Sequence, residues 1–350
     1  AGPHGSWVGQ GRTTIVWHEP HSQRSGSLVR ISADRPGGDL LDPGGGASAV
    51  DGGNVFEALM ARSGTAHPAR SPRRSSESVA STGVTCEPRP PWEDDLVTVW
   101  RDDLGHPVEL PGPARRVVSL VPSLTEAVAV SAPGRLVGAT DWCTHPAGLA
   151  VTRVRGTKNP DRAKIVALAP DLVIANREEN RKLDVTRLRD AGLAVWVTVI
   201  ESVPEAVASL RRLLTGPLAL VVPGWLAAAE RAWAGSAPGP VRRVAVPIWR
   251  DPWMVVGART FTGDVLARLG LDNLFGAGPG RYPRVEAAAI RAAAPDLVLL
   301  PDEPYPFTAG DGPEEFPAQR AVLVSGRLLT WYGPSLATAR ADLLSAIGRP

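Results

Sequence analysis

Short apolar runs alternate with amphipathic segments along residues 96–350. The apolar runs predict buried strands at Arg115–Val121, Leu136–Ala139, Leu172–Ala175 and Val195–Ile200. The amphipathic segments predict helices at Asp161–Ala169, Asp184–Ala191 and Pro204–Leu214. Strands and helices that alternate in this way form a parallel sheet covered by helices. Ahead of them, Val97–Leu110 predicts a β-hairpin whose turn contains Asp and Gly.

The first predicted strand leads directly into a helix-start signal. Ser123 is predicted to be the N-cap of this helix, and Glu126, three residues later, is predicted to be its capping-box partner. We therefore expect both side chains to satisfy backbone amides in the first helical turn.

An internal repeat indicates two lobes. Arg115-Arg-Val-Val-Ser-Leu is echoed by Arg242-Arg-Val-Ala-Val, and Ala169-Pro-Asp-Leu-Val-Ile is echoed by Ala294-Pro-Asp-Leu-Val-Leu at nearly the same offset. We predict similar Rossmann-like α/β lobes with parallel sheets at 96–202 and 241–350, joined by a helical connector at 203–240. Open parallel sheets bind ligands at the carboxyl ends of their strands, so the two lobes predict a cleft between them.

Residues 1–95 differ in composition from the rest of the chain. Their first 90 residues contain 14 Gly, 8 Pro and 12 Ser. Such a segment cannot bury enough apolar surface to offset its backbone entropy, so we predict disorder, with one short helical candidate at Val55–Arg62. Ala1–Gly11 lacks the charged start and apolar stretch of a signal peptide. As given, the sequence therefore favours a cytoplasmic location.

Charge and cysteine content exclude several classes of protein. The 38 Lys and Arg are balanced by 36 Asp and Glu, whereas proteins that bind nucleic acid usually carry a concentrated basic excess. Two cysteines, Cys86 and Cys143, cannot build a disulfide scaffold or a Cys-rich zinc module. No apolar run approaches the ~18 residues of a membrane span. We expect a monomer without a nucleic-acid partner.

Aromatic residues collect in the loops that follow the predicted strands. Loops of this kind suit a large, flat, partly apolar ligand. The alternative is that the aromatic side chains only pack over the ends of the sheets. The aromatic residues in these loops are Trp142, Trp249, Trp253, Tyr282, Tyr305, Phe307, Trp331 and Tyr332.

Catalytic and metal-binding arrangements are weaker candidates. Glu178 and Glu179 are adjacent, and neighbouring loop carboxylates more often point apart into solvent than act as an acid–base pair. Asp141, Cys143 and His145 also lie close together in sequence, but no second cluster accompanies them, and Cys143 is better explained as a small packed thiol. We therefore predict no enzymatic activity, no bound metal and no cofactor.

The same residues resemble a known family. The segments Arg116–Glu126, Ile165–Ala175 and Glu178–Asp184 are similar to those of the iron-chelate/vitamin B12 substrate-binding proteins of ABC importers, most of all to the cobalamin-binding branch. The resemblance covers roughly residues 96–348. It implies a class III periplasmic-binding-protein fold, in which one long helix bridges two lobes. It also implies a corrinoid, haem or ferric chelate as ligand, a membrane permease as partner and an extracytoplasmic location.

Followed residue by residue, the resemblance assigns several ligand contacts. Trp142 and Tyr282 are aromatic where cobalamin receptors place an aromatic on the ligand, and Met254 lies beside Trp253. Thr157 and Asn176 stand where two further tryptophans are expected. The family pattern is thus kept only in part.

Other positions depart from the family pattern. Thr330 and Pro334 stand where an Asp and an Arg of the last ligand loop are expected. Ala163 and Ala288 stand where the resemblance places the two exposed glutamates that dock the lobes on permease arginines. These differences put the polar ligand contact and the coupling to a permease in question.

Three hypotheses follow. The first is a non-enzymatic receptor for cobalamin or a related metal chelate, delivered to an ABC importer. Its predicted contacts are the aromatic residues Trp142, Trp249, Trp253, Tyr282, Tyr305 and Trp331, together with Met254, Thr157, Asn176, Glu178, Asn180 and Arg250. The second is a cytosolic stand-alone ligand-binding or accessory enzyme protein on the same scaffold, with Glu178, Glu179, Cys143 and His145 as reactive groups. The third is an interaction protein in which the long N-terminal tail is the functional part.

Overall fold

The computed structural model of the chain describes residues 97–235 and 241–348, all of which belong to one compact unit. The predicted disorder of 1–95 and the helical candidate Val55–Arg62 lie outside the described residues. Among the residues that are described, no helix combines the length and the apolar character that crossing a bilayer requires.

The first lobe contains a hairpin and a five-stranded parallel sheet. The sheet order is β5-β4-β3-β8-β9, and each neighbouring pair is parallel. The elements are β1 (Thr98–Arg101), β2 (Pro107–Leu110), β3 (Val117–Ser119), α1 (Pro122–Ser131), β4 (Leu136–Ala139), β5 (Thr152–Arg153), β6 (Arg155–Gly156), β7 (Asn159–Pro160), α2 (Arg162–Ala167), β8 (Leu172–Asn176), α3 (Lys182–Asp190) and β9 (Val195–Thr198). The predicted hairpin and alternation are confirmed.

The second lobe repeats this arrangement with a four-stranded parallel sheet in the order β13-β10-β14-β15. Its elements are β10 (Arg242–Ala245), β11 (Pro247–Trp249), β12 (Met254–Val255), α6 (Phe261–Arg268), β13 (Leu271–Asn273), α7 (Ala287–Ala292), β14 (Leu297–Pro301), β15 (Arg320–Val324), α8 (Gly326–Thr330) and α9 (Leu336–Ala346). The first strand of each repeat, β3 or β10, lies beside the strand that carries the Pro-Asp-Leu echo, β8 or β14.

The sequence repeat has a common structural cause in the two lobes. Asp171 accepts a hydrogen bond from the backbone amide of Arg116, and Asp296 accepts one from the amide of Arg243, each at 2.8 Å. Each arginine side chain in turn donates to the carbonyl oxygen two residues before its aspartate, at 3.1 and 3.2 Å. The Arg and Ala-Pro-Asp motifs therefore lock together the same two strands in both lobes, which confirms the predicted repeat.

The connector consists of two helices. α4 (Val203–Thr215) and α5 (Gly224–Ala232) are separated by residues 216–223, where Gly216, Pro217 and Pro223 disfavour a continuous helix. The family resemblance implied one long helix, and this chain differs. Two tryptophans, one in the first turn of α5 and one just after its last residue, fix the helix to both lobes, because Trp225 donates to Ser131 at 2.9 Å and Trp233 donates to the Leu336 carbonyl at 2.9 Å.

The prediction for the first helix start was wrong. The N-cap of α1 is Val121, and Pro122 occupies the first turn, a position that proline favours. Ser123 and Glu126 therefore lie inside the helix and are buried, at 2% and 5% exposure. Because Glu126 is not used as a cap, its carboxylate is available for a contact outside the helix.

One hydrophobic core runs through both lobes and the connector. Val117 of β3, Leu210 of α4, Val244 of β10 and Leu343 of α9 belong to the same buried cluster. Smaller clusters lie on the other face of each sheet. The two lobes are thus joined by a continuous apolar core, and polar loops at the strand ends meet beside it.

Candidate functional site between the lobes

Loops from both lobes meet at the carboxyl ends of the strands. The loop after β8 contributes Glu178, and the loop after β9 contributes Glu201. From the second lobe, Arg281 reaches both of them, at 2.5 Å to Glu178 and 2.6 Å to Glu201. Arg177 of the first lobe also donates to Glu201, at 2.5 Å. These four side chains form a chain of alternating charge that crosses the boundary between the lobes.

Tyr282 adds a second bond from the second lobe to the same carboxylate. Its hydroxyl donates to Oε1 of Glu178, while Arg281 donates to Oε2. Burial raises the pKa of Tyr282 well above its usual range, and the negative charge of Glu178 raises it further. Tyr282 therefore acts as a hydrogen-bond donor at neutral pH.

Glu179 points away from Glu178 and meets a different part of the second lobe. Its carboxylate accepts a hydrogen bond from the Tyr332 hydroxyl at 2.8 Å. Burial is the main reason that the pKa of Glu179 is raised to about 7, and the nearby Glu178 and Glu303 carboxylates add to it. The two glutamates do point apart, as predicted, but both contact the opposite lobe and neither is simply solvated.

A third polar bridge lies at α1 and α8. Arg327 donates to both carboxylate oxygens of Glu126, with the longer bond at 3.3 Å. The Arg327 guanidinium also lies 5.7 Å from the centre of the Trp331 ring, and Trp331 makes an edge contact with His145 at 5.2 Å. Charged and aromatic groups of both lobes therefore interleave along this boundary.

The backbones also approach closely at this place. A Cβ atom added to Gly333 would lie 2.8 Å from the Ser123 carbonyl oxygen, closer than real Cβ contacts allow. Glycine is therefore required for the lobes to meet as they do.

Asn176 and Asn180 hold the loop that presents the two glutamates. Asn176 accepts hydrogen bonds from the backbone amides of Glu178 and Glu179, at 2.8 and 3.2 Å. Asn180 accepts one from the Asn176 amide at 2.8 Å and donates to the Thr157 carbonyl at 2.9 Å. Both asparagines are almost fully buried. They were predicted as ligand contacts, but their polar atoms are used inside the first lobe.

The Arg250 side chain is also occupied by contacts within its own lobe. It forms ion pairs with Asp311, Glu314 and Glu315 of the second lobe. It also lies 5.4 Å from the centre of the Trp253 ring. The sequence could not show these partners, because all three acids lie about 60 residues later in the chain.

Several predicted aromatic contacts pack inside the second lobe. Trp253 is 7% exposed and stacks on Phe307 at 5.8 Å, and Met254 beside it is 1% exposed. Trp249 is buried against the half-buried Tyr305 at 5.7 Å. For these residues the alternative raised from the sequence, packing over the sheet ends, describes the structure better.

Trp142 is the candidate aromatic that reaches solvent most clearly. Its side chain is 43% exposed, and its indole lies beside Gly156 in the first lobe. Thr157 follows Gly156 in the loop between β6 and β7 and is half-buried. Trp142 therefore offers an open aromatic face at the end of the first sheet.

The metal and nucleophile candidates are not assembled. Within residues 97–235 and 241–348, no group of three or more His, Cys, Asp and Glu side chains is arranged to hold a metal ion. Cys143 is fully buried and contacts the Thr125 and Thr140 hydroxyls at 3.0 and 3.1 Å. Burial raises the pKa of the Cys143 thiol. His145 contacts Thr144 and Trp331 instead.

Solved structures share this two-lobe fold. The periplasmic vitamin B12-binding protein of Vibrio cholerae superposes with a TM-score of 0.56 at 17% identity, covering 67% of this chain and 97% of that one. The periplasmic haem-binding protein of Roseiflexus sp. RS-1 superposes with a TM-score of 0.55 at 21% identity, covering 67% and 98%. The predicted class III periplasmic-binding-protein fold is confirmed.

The chain is also similar in sequence to curated vitamin B12-binding proteins. The vitamin B12-binding protein of Salmonella typhi is 28% identical over 196 residues, which cover 53% of this chain and 72% of that protein. This similarity agrees with the resemblance to the iron-chelate/vitamin B12 substrate-binding proteins. The vitamin B12-binding protein of Vibrio cholerae serotype O1 is 30% identical over 105 residues, covering 29% and 38%. No family model matches the chain.

Some residues at the boundary between the lobes were missed by sequence reasoning. Arg281, Tyr332, Glu126 and Arg327 all bridge the lobes, yet the sequence analysis named Tyr332 only as a loop aromatic and Glu126 only as a helix cap. The available signal was the pairing of charged residues on loops that the repeat places at equivalent strand ends. Thr330 and Pro334 are half-buried, and Ala163 and Ala288 are exposed on α2 and α7.

Proposed function

We propose that this protein is a substrate-binding receptor for a bulky metal chelate, cobalamin or haem, held between the two lobes without chemical change. The observation that carries the proposal is that strand-end loops of both lobes meet at one boundary and bring aromatic and charged side chains to it. The curated relatives named for vitamin B12 binding support the corrinoid, and the haem-binding protein of the same fold supports haem as the second probe.

The candidate contacts fall into two groups. Trp142, Tyr282 and Tyr305 would contact the flat ligand, because aromatic faces pack well against macrocycles. Thr157 would contact its edge. Trp331, which is only 7% exposed, would support these contacts. The remaining candidates are proposed to support these contacts from behind through the bonds described above; they are Asn176, Asn180, Trp249, Arg250, Trp253 and Met254.

Delivery to an ABC importer is the corresponding partner proposal. The receptor would dock as a monomer outside the membrane; the vitamin B12-binding protein of Vibrio cholerae with this fold is itself named as periplasmic. Ala163 and Ala288 supply no charge, so this receptor would be oriented on a permease without the two glutamates that the resemblance implies.

Titration with cyanocobalamin, haemin and a ferric siderophore tests the ligand proposal. Saturable quenching of tryptophan fluorescence, with a matching change in the absorption spectrum of the chelate, is expected for at least one probe. Trp142→Ala should weaken that binding by about tenfold, since loss of one aromatic contact costs about 1.4 kcal/mol. Trp225→Phe, on the connector, is the matched control. The absence of a saturable signal with all three probes would overturn the proposal.

A further inference from the structure

Two donors of the second lobe converge on one carboxylate of the first. The Arg281 guanidinium donates to Oε2 of Glu178 at 2.5 Å, and the Tyr282 hydroxyl donates to Oε1. Each carboxylate oxygen thus receives one bond from the opposite lobe. Charge-assisted hydrogen bonds of this kind are about twice as strong as neutral ones.

The carboxylate is held in this place from behind. The Glu178 amide donates to Asn176 at 2.8 Å, and Lys158 donates from Nζ to the Glu178 carbonyl at 2.6 Å. Asn176 is 2% exposed, so the support comes from the interior of the first lobe. The side chain is therefore presented by a fixed loop, which lowers the entropy cost of its contact with the second lobe.

The same two donors are among the groups that a ligand between the lobes would meet. Arg281 and Tyr282 both lie on the second-lobe loop that meets Glu178 at the boundary, where the proposed function places the ligand. The side chains of Glu178 and Arg281 remain 33% and 26% exposed, so solvent and solutes reach the pair. A group that enters here must replace Glu178 as the acceptor, and a carboxylate or phosphate oxygen can do so with equal charge.

We propose that Glu178 is an internal competitor of the ligand, whose carboxylate occupies Arg281 and Tyr282 until an anionic group of the ligand takes its place. This inference rests on the proposed function and names the class of ligand that the site admits: a chelate with a peripheral carboxylate or phosphate. It reverses the role predicted for Glu178 from the sequence. Removal of a direct contact lowers the affinity of the protein for its ligand, whereas removal of a competitor raises it.

The test compares Glu178→Ala with Glu230→Ala in the full chain. Glu230 pairs with Arg211 at 2.6 Å on the outer surface of the connector, so its removal breaks a similar ion pair away from the boundary. The first probe pair is haemin and haemin dimethyl ester, which share a macrocycle and differ in free carboxylates. The second is cyanocobalamin and dicyanocobinamide, which differ in the phosphate-bearing nucleotide. Dissociation constants are measured for each protein.

We expect Glu178→Ala to tighten binding of the anionic member of one pair by about tenfold, as expected for loss of one charged hydrogen bond. The neutral member should gain less, and Arg281→Ala should abolish the difference within the pair. Glu230→Ala should change each constant by less than about twofold. The pair that responds distinguishes carboxylate from phosphate.

A second readout needs no ligand. Hydrogen exchange of the Arg281 and Tyr282 backbone amides should accelerate in Glu178→Ala and stay unchanged in Glu230→Ala. Three results would each overturn the proposal that Glu178 competes with the ligand. They are unchanged hydrogen exchange in Glu178→Ala, weaker or equal ligand binding by that variant, and equal gains in affinity for both members of each probe pair. If no probe binds either the wild-type protein or the variant, the proposed receptor function is refuted, together with the competition by Glu178 that rests on it. If a probe binds both proteins with equal affinity, only the competition by Glu178 is refuted.

Discussion

Asp102 ties the hairpin to the first lobe, and its replacement by alanine tests how the fold is held. The residue is 4% exposed. Its carboxylate accepts hydrogen bonds from two backbone amides within the turn, that of Leu104 at 3.0 Å and that of His106 at 2.8 Å. It also accepts the Val197 amide of β9 at 3.3 Å and pairs with Arg189 of α3 at 2.8 Å. One carboxylate therefore satisfies four donors on three elements.

The magnitude follows from these contacts. Breaking a buried ion pair from one side costs about 3–5 kcal/mol, because the remaining charge is left without a partner. The Arg189 side chain is 23% exposed, so water replaces part of the lost interaction and the lower half of that range applies. The freed amides add a little, since two of them lie in an exposed turn. We expect Asp102→Ala to lower the free energy of unfolding by about 4 kcal/mol and Asp102→Asn by about 2 kcal/mol.

Denaturant unfolding followed by far-UV circular dichroism measures this loss, provided that the slope with denaturant is unchanged. Glu109→Ala is the control, because Glu109 lies exposed on β2 of the same hairpin. It should stay within about 0.5 kcal/mol of the wild-type protein. A loss below about 1 kcal/mol for Asp102→Ala would refute the reasoning.

Three further predictions concern the lobe boundary and the buried thiol. The unfolded chain releases the Glu179 proton near pH 4.5 and the folded protein only near 7, so the stability present below pH 4.5 is lost as pH rises through 7. Denaturant unfolding should therefore find Glu179→Gln more stable than the wild-type protein by about 2 kcal/mol at pH 8 and no more stable at pH 4. A gain in stability that does not depend on pH would contradict this reasoning. Gly333→Ala should lower the melting temperature because its Cβ would press on Ser123, whereas Gly310→Ala, with open space around it, should not. Cys143 should react with a thiol reagent only after unfolding, as followed by mass spectrometry in a Cys86→Ser background; rapid reaction in the folded protein would show that the thiol is accessible.

Local patterns in the sequence predicted the strands and helices because the residues of each element largely specify it, and repeated motifs predicted the two lobes. The apolar runs become β3, β8 and β9, and the echoed motifs lock equivalent strands through Asp171 and Asp296. The helix start at Pro122 was misjudged because two capping rules competed, and the preference of proline for the first turn prevailed. The break in the connector at 216–223 follows from its Gly and Pro content.

The site was predicted less well because its contacts join distant residues. Glu178 and Arg281 are 103 residues apart, and Glu126 and Arg327 are 201 apart. No periodicity or motif pairs side chains at such separations. Trp142 and Tyr282 lie in loops as predicted, whereas Trp249 ends β11. Composition cannot say which aromatic side chains pack inward, as Trp253 does, and which remain exposed, as Trp142 does.

Hydrogen exchange of the full chain, with and without saturating chelate, tests the central claim most directly. A ligand held between the lobes must cover loops of both, so amide exchange should slow together at 141–145 of the first lobe and at 281–282 of the second. The outer helices α2 and α7 should be unaffected and serve as internal controls. Slowing confined to one lobe, or found in neither under saturating cyanocobalamin or haemin, would contradict a receptor that binds its ligand between the lobes.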